Sequence, residues 1–185
     1  MMSSPPARVF RMDGRALKAA AAVLIILASA GLDQGAKSLA RARLQGSPPV
    51  AVVGGLVSLR WVENEGAFLS LGARFPRPVR MVAFIAFPLI VLGFMIGTLL
   101  RRRGVGWGTL AGLSLIAGGG AGNLIDRIFR DGRVGDFILL GIGRLHTGIF
   151  NLADLAVLAG CVVLLFAPPR GRRPRETAPG ADPPA

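Results

Sequence analysis

The sequence predicts an all-α membrane protein with four transmembrane helices, a short interfacial helix and a small sheet lying on the membrane surface. Three observations predict it. More than half of the 185 residues are hydrophobic, 52% with only 6% aromatic, too apolar for an ordinary soluble domain. Four stretches are long and apolar enough to be read as spans, at about 17–25 residues each. Between the first two lies a long segment, 33–78, in which hydrophobic residues partly alternate.

The elements follow in order. Residues 1–15 and 168–185 are polar, basic and rich in proline or small residues, and are expected to be disordered tails around a single membrane domain, 16–167. The first span is expected over 17–32 and is the shortest. KSLARARLQ after it suits a short interfacial helix whose arginines meet lipid headgroups. In VVGGLVSLRWVENEGAFLSL, Val57, Leu59 and Trp61 would face one way and Ser58 and Arg60 the other, the pattern of a strand. The second span is expected over 81–100 and the third over 105–125. In the third, Gly104, Gly108 and Gly112, then Gly118 and Gly122, are expected to line one helix face for close packing. The fourth span is expected over 149–167.

The net charge of +12 comes mostly from arginine. Its placement argues against nucleic acid as a partner, because RRR at 101–103 fills a short connection and RGRRPR at 170–175 follows the last span. Cytoplasmic ends collect such residues, so both termini are expected inside. Cys161 is alone and mid-span, which excludes an internal disulfide and predicts a buried apolar thiol. With one histidine, His146, a His/Cys metal cluster is unavailable. No cofactor or metal is expected.

Threading the chain with the N-terminus inside brings Asp33, Asn123, Asp126, Asn151 and Asp154 to one membrane face, with Asn64, Glu65, Arg127 and Asp136 in the loops on that side. A carboxylate at a membrane edge is by default a functional hypothesis. Each residue also has a plainer explanation. Asn151 suits a helix cap with Asp154 in the first turn, Asp126 an ion pair with Arg127, Asp131 a turn, and Lys37 a helix-face pair with Asp33. Asp136 is harder to explain away, since a turn accounts for the preceding glycine but not for an acid beside FILL. A hydrolytic site here has few nucleophiles to choose from. A serine–lysine pair would have to use Lys37 with Ser38 or Ser70, whereas two neighbouring aspartates suffice alone: one acts as base on water and the other carries a proton. Acids spread through the membrane depth would suggest a proton or cation path instead; these gather on one side.

Five motifs, DQGAK (33–37), NEGAF (64–68), GGAGNLIDR (119–127), VGDF (134–137) and FNLAD (150–154), together resemble those of the lipoprotein signal peptidases, or signal peptidase II. The resemblance covers Leu17 to Ala167. It implies a membrane aspartyl protease with four transmembrane helices and an extracytoplasmic β-cradle, in the bacterial cytoplasmic (inner) membrane. It further implies that signal peptides are cut from diacylglyceryl prolipoproteins just before the lipidated cysteine. By motif, Asp136 and Asp154 would be catalytic; Asp33, Lys37, Asn64, Gly66, Asn123, Arg127 and Asn151 would support the site or substrate; and Asp126 would belong to the structural shell. Globomycin-type inhibitors are expected to bind, and a monomer is expected. Two features depart from the family pattern: IFRDGRVG is about one residue longer than usual, and glycine occupies position 135.

Overall fold

The computed structural model describes residues 14–66, 72–101, 105–143 and 145–168. The two terminal tails, RRR beyond Arg101, Gly104, Ser70, and Ala67 and Phe68 of NEGAF lie essentially outside them.

Helix α1 runs unbroken from Gly14 to Leu44. The expected interfacial helix is therefore its continuation and not a separate element, because no glycine or proline interrupts 36–44 and the alanine- and arginine-rich sequence favours helix. Strand β1 (Val50–Val52) turns through Val53–Gly55 into β2 (Val57–Asn64). Helix α2 (Arg77–Met81) passes through a widened π-turn, Val82–Ala86, into α3 (Phe87–Arg101). Pro88 accounts for the turn: it has no N–H to offer the carbonyl of Phe84, four residues back, and its ring crowds that carbonyl. The N–H of Phe87 bonds instead to Val82, five residues back. Helix α4 is Trp107–Phe129, and α5 is Leu152–Phe166.

Among the described residues, three helices, Gly14–Leu44, Arg77–Leu99 and Trp107–Phe129, are long and apolar enough to cross a membrane. Helix α5 has 15 residues, about 22 Å of rise against a hydrocarbon core of about 30 Å. The Ile149–Phe150 start of the expected fourth span is not helical, because Phe150 bridges to Ile138 of the sheet.

That sheet is antiparallel, in the order β1-β2-β3-β4, and is completed by β3 (Val134–Ile142) and β4 (Leu145–His146). Between β2 and β3 the register steps from Leu59↔Ile138 to Val62↔Asp136, so β2 carries one extra residue. Such a bulge bends a strand and re-aims its side chains. Leu59 and Trp61 both pack on the buried cluster of Ala40, Leu44 and Phe137, while Arg60 stays exposed, as the alternation predicted.

Helix α4 packs between its neighbours through glycines, but they do not form one face. A Cβ on Gly112 would lie 2.9 Å from the Gly160 carbonyl oxygen, and one on Gly119 would collide with the Ala153 carbonyl, both on α5. A Cβ on Gly118 would strike Ser29 and Ile26 of α1. The row is split because α1 and α5 approach α4 from different sides. Cys161 is exposed on α5, contrary to expectation; Gly160, next to it, turns toward α4 instead.

Candidate active site

The polar residues assemble where the end of α4, the start of α5, the outer half of α1 and strands β2 and β3 meet. Asn151 caps α5: its Oδ1 accepts from the Asp154 N–H at 3.0 Å, and the Asp154 carboxylate accepts from the Asn151 N–H at 3.3 Å. This reciprocal box satisfies two otherwise orphaned donors of the helix. The cap of the plainer explanation is thus present, and it does more than end a helix. The Asn151 amide nitrogen also donates to Asp136 Oδ1 at 2.6 Å. A single buried asparagine therefore touches both candidate acids.

Asp136 is held on β3, only 3% exposed. Its other oxygen accepts from Asn64 Nδ2 at 3.0 Å across the β2–β3 pair. Burial raises its pKa from the ordinary 3.8 to about 6, against the lowering effect of the Asn64 and Asn151 hydrogen bonds; the nearby Asp154 charge adds to the rise. Asp154 Oδ1 accepts from Asn123 Nδ2 at 2.8 Å. Asp136 and Asn64 open onto a cleft of about 610 Å³ whose wall includes Arg60, Val62, Leu139 and His146.

Beneath the acids lies an ionic layer sealed from solvent. Lys37 Nζ reaches Asp33 Oδ2 at 2.7 Å, Asp126 Oδ2 at 2.9 Å and Asn123 Oδ1 at 3.0 Å. All three charged side chains are at most 1% exposed. The three ammonium hydrogens are thereby used, which argues against Lys37 as the free base of a serine–lysine site; Ser38 itself is exposed. Asp33 Oδ1 accepts from the Ala153 N–H in the first turn of α5, and Asp126 Oδ2 from the Gly135 N–H, the residue before Asp136. The layer is thus tied to the backbone on which each acid stands. Asp126 pairs with Lys37 and with Arg130 at 3.3 Å, not with its neighbour Arg127 as the plainer explanation had it, because adjacent residues on a helix point apart. Arg127 turns toward β2 and donates to the Gly66 carbonyl at 3.1 Å.

Asp131 stands apart from this cluster. It lies in an exposed turn with φ +54° and pairs with Arg77. The IFRDGRVG stretch turns there, through Asp131 and Gly132 at φ +84°, before β3 begins. Glycine at 135 has a local cause too: the Trp61 ring occupies the space a Cβ would need.

Sequence reasoning missed Gln34, whose amide nitrogen bonds to Asp126 and to the Gly122 carbonyl. Its place inside DQGAK was the available signal. It also missed Phe84, whose ring faces the Arg127 guanidinium at 5.6 Å; nothing in an apolar span marks one phenylalanine.

Residues 25–168 match the family model described as signal peptidase (SPase) II. A lipoprotein signal peptidase of Leifsonia xyli is 37% identical over 178 residues, covering 88% of this chain and 78% of that protein. One from Geobacter sulfurreducens is 35% identical, covering 84% and 94%. Among solved structures, a bacterial membrane enzyme determined by the in meso method at 2.3 Å aligns with a TM-score of 0.68 at 24% identity, over 80% of this chain and 87% of that one, and shares the fold. The chain belongs to the signal peptidase II family, aspartic proteases that remove signal peptides from prolipoproteins.

Proposed function

We propose that Asp136 and Asp154 form the catalytic dyad and that the substrate is a diacylglyceryl prolipoprotein, cut immediately before its lipidated cysteine. The observation that carries this reading is the double engagement of Asn151, whose side-chain nitrogen donates to the Asp136 carboxylate while its backbone N–H donates to that of Asp154 and its side-chain oxygen accepts from the Asp154 N–H. Asp136, buried and with its pKa raised, carries the proton. Asp154 takes a proton from water as the water oxygen bonds to the scissile carbonyl carbon. Asp136 protonates the carbonyl oxygen; as the tetrahedral gem-diol collapses and the C–N bond breaks, Asp154 passes the proton it took from water to the leaving nitrogen and Asp136 recovers a proton from a diol hydroxyl, leaving a carboxylic acid product, an amine and the dyad in its starting state. Asn123 and Asn151 orient the carboxylates, Asn64 and Gly66 with Arg127 hold the edge of the cleft, and Asp33, Lys37 and Asp126 fix the backbones beneath.

In this reading α5, extended by its flanking residues, serves as a fourth span. Both termini are cytoplasmic, and the sheet and the site lie on the extracytoplasmic side of the inner membrane, where acyl chains stay in lipid while the peptide reaches water. The enzyme acts as a monomer and takes globomycin-type inhibitors. The test is gel-shift cleavage of a diacylglyceryl prolipoprotein by purified wild type, Asp136→Asn, Asp154→Asn and Asp131→Asn. Loss in the first two folded variants and retention in the third is expected. Cleavage by folded Asp136→Asn would overturn the dyad.

A further inference from the structure

A chain of contacts leads out of the site to an aromatic residue that no motif contains. Asn64, which donates to Asp136 at 3.0 Å, accepts in turn from the Gly66 N–H at 2.9 Å. The Gly66 carbonyl accepts from Arg127 at 3.1 Å. Arg127 makes few hydrogen bonds among the described residues: besides Gly66 it has a long 3.4 Å contact to the Asn123 carbonyl in its own helix, and its Nε is buried without a partner, while the charges of Asp154, Asp136 and Asp126 act on it through space. What covers the guanidinium is the ring of Phe84, 5.6 Å away, within the range of a cation–π contact.

Phe84 is aimed there by local structure. It sits in the middle of the π-turn that Pro88 imposes, a widening of the kind often found at functional sites. Its ring tip also lies where a Cβ on Gly72 would be, at 2.7 Å, and Gly72 adopts φ +77°. The same ring thus braces Gly72 and, through Arg127, grips Gly66, both in the connection from β2 to α2.

We infer that Phe84 is a positioning residue for the peptidase reaction: its ring holds Arg127, and through Gly66 and Asn64 sets the orientation of Asp136. This rests on the assignment of Asp136 to the dyad. It predicts that the requirement at position 84 is for a π face rather than for apolar bulk, since leucine fills space but offers no negative ring face to a cation.

The experiment measures kcat and KM for cleavage of a diacylglyceryl prolipoprotein in nanodiscs by wild type, Phe84→Leu, Phe84→Met, Phe84→Tyr and Asp136→Asn, with thermal unfolding of each. Phe84→Leu and Phe84→Met are expected to lower kcat about tenfold with KM changed less than about threefold, and Phe84→Tyr to restore most of the loss. Leucine and methionine variants with wild-type kcat would overturn the inference, and so would equal loss in folded leucine and tyrosine variants. If neither apolar variant folds while the tyrosine variant does, the ring is needed for folding and the positioning role is rejected. Cleavage by wild type and its absence in Asp136→Asn separate a failure of this inference from a failure of the dyad assignment.

Discussion

Replacing Lys37 with methionine tests the ionic layer directly. The substitution keeps most of the volume of the stem and removes one positive charge from a site in which Asp33, Lys37 and Asp126 are 0%, 0% and 1% exposed. Three short contacts vanish together, at 2.7, 2.9 and 3.0 Å. Asp126 keeps Arg130 at 3.3 Å, but Asp33 is left with neutral donors: the Ala153 N–H and the Gln34 amide. Removing one partner of a buried ion pair costs about 3–5 kcal/mol, whereas removing both is often neutral. Lys37→Met is therefore expected to lose about 3–5 kcal/mol, and Asp33→Asn/Lys37→Met to regain at least half of it, because the asparagine oxygen still accepts from Ala153. The assay is reversible unfolding from mild-detergent micelles into SDS, followed by tryptophan fluorescence. A loss below about 1 kcal/mol, or a double variant as unstable as the sum of the two single ones, would refute the reasoning.

Other outcomes are expected at Asp136, Gly119 and Asn151. Asp136 holds its proton to about pH 6 in the folded protein but releases it near 3.8 when unfolded, so its own contribution to stability, about 3 kcal/mol, is fully present below about pH 4 and is lost as pH rises through 6; the difference in unfolding midpoint between wild type and Asp136→Asn across pH 4–7 measures it. As the proton donor, Asp136 should also give kcat/KM of the free enzyme an alkaline limb near pH 6. Gly119→Ala drives a Cβ into the Ala153 carbonyl and should destabilise by about 1–3 kcal/mol, whereas Gly108→Ala, whose Cβ would sit 3.4 Å from Ala167, should change thermal stability little. Asn151→Ala removes the α5 cap, worth about 1 kcal/mol, and leaves the buried Asp136 oxygen without its 2.6 Å donor, costing about 1–3 kcal/mol more; in the fraction that stays folded, cleavage should still be abolished.

Much of this was legible in the sequence because the site is built from short motifs whose residues act near where they stand. NLAD announces a capped helix, and the cap is the link between the acids. The Asp33–Lys37 pair follows from helical spacing alone. Less legible was anything set by contact between distant segments. The partner of Asp126 proved to be Lys37 and Arg130, because helix crossing, not adjacency, decides which charges meet. Strand β3 was read as an apolar run after an acid; only its pairing with β2 reveals that Val134–Ile142 is sheet. The single face of glycines split in two because periodicity on one helix does not say how many neighbours it has.

The pairing of Phe150 with the sheet has a mechanical consequence. Its carbonyl accepts from the N–H groups of both Phe137 and Ile138, at 3.0 and 2.9 Å, and its own N–H returns a bond to Ile138 at 2.9 Å. Asp136 immediately precedes one end of this clamp, and Asn151 immediately follows the other. The helices answer a thinner or thicker bilayer by tilting, but the peptide groups next to Asp136 and next to Asn151, the cap of the turn that carries Asp154, are stitched together. On the proposed dyad assignment, the two acids travel together as the lipid changes, and the spacing the chemistry would need is insulated from the tilt of the helices around it.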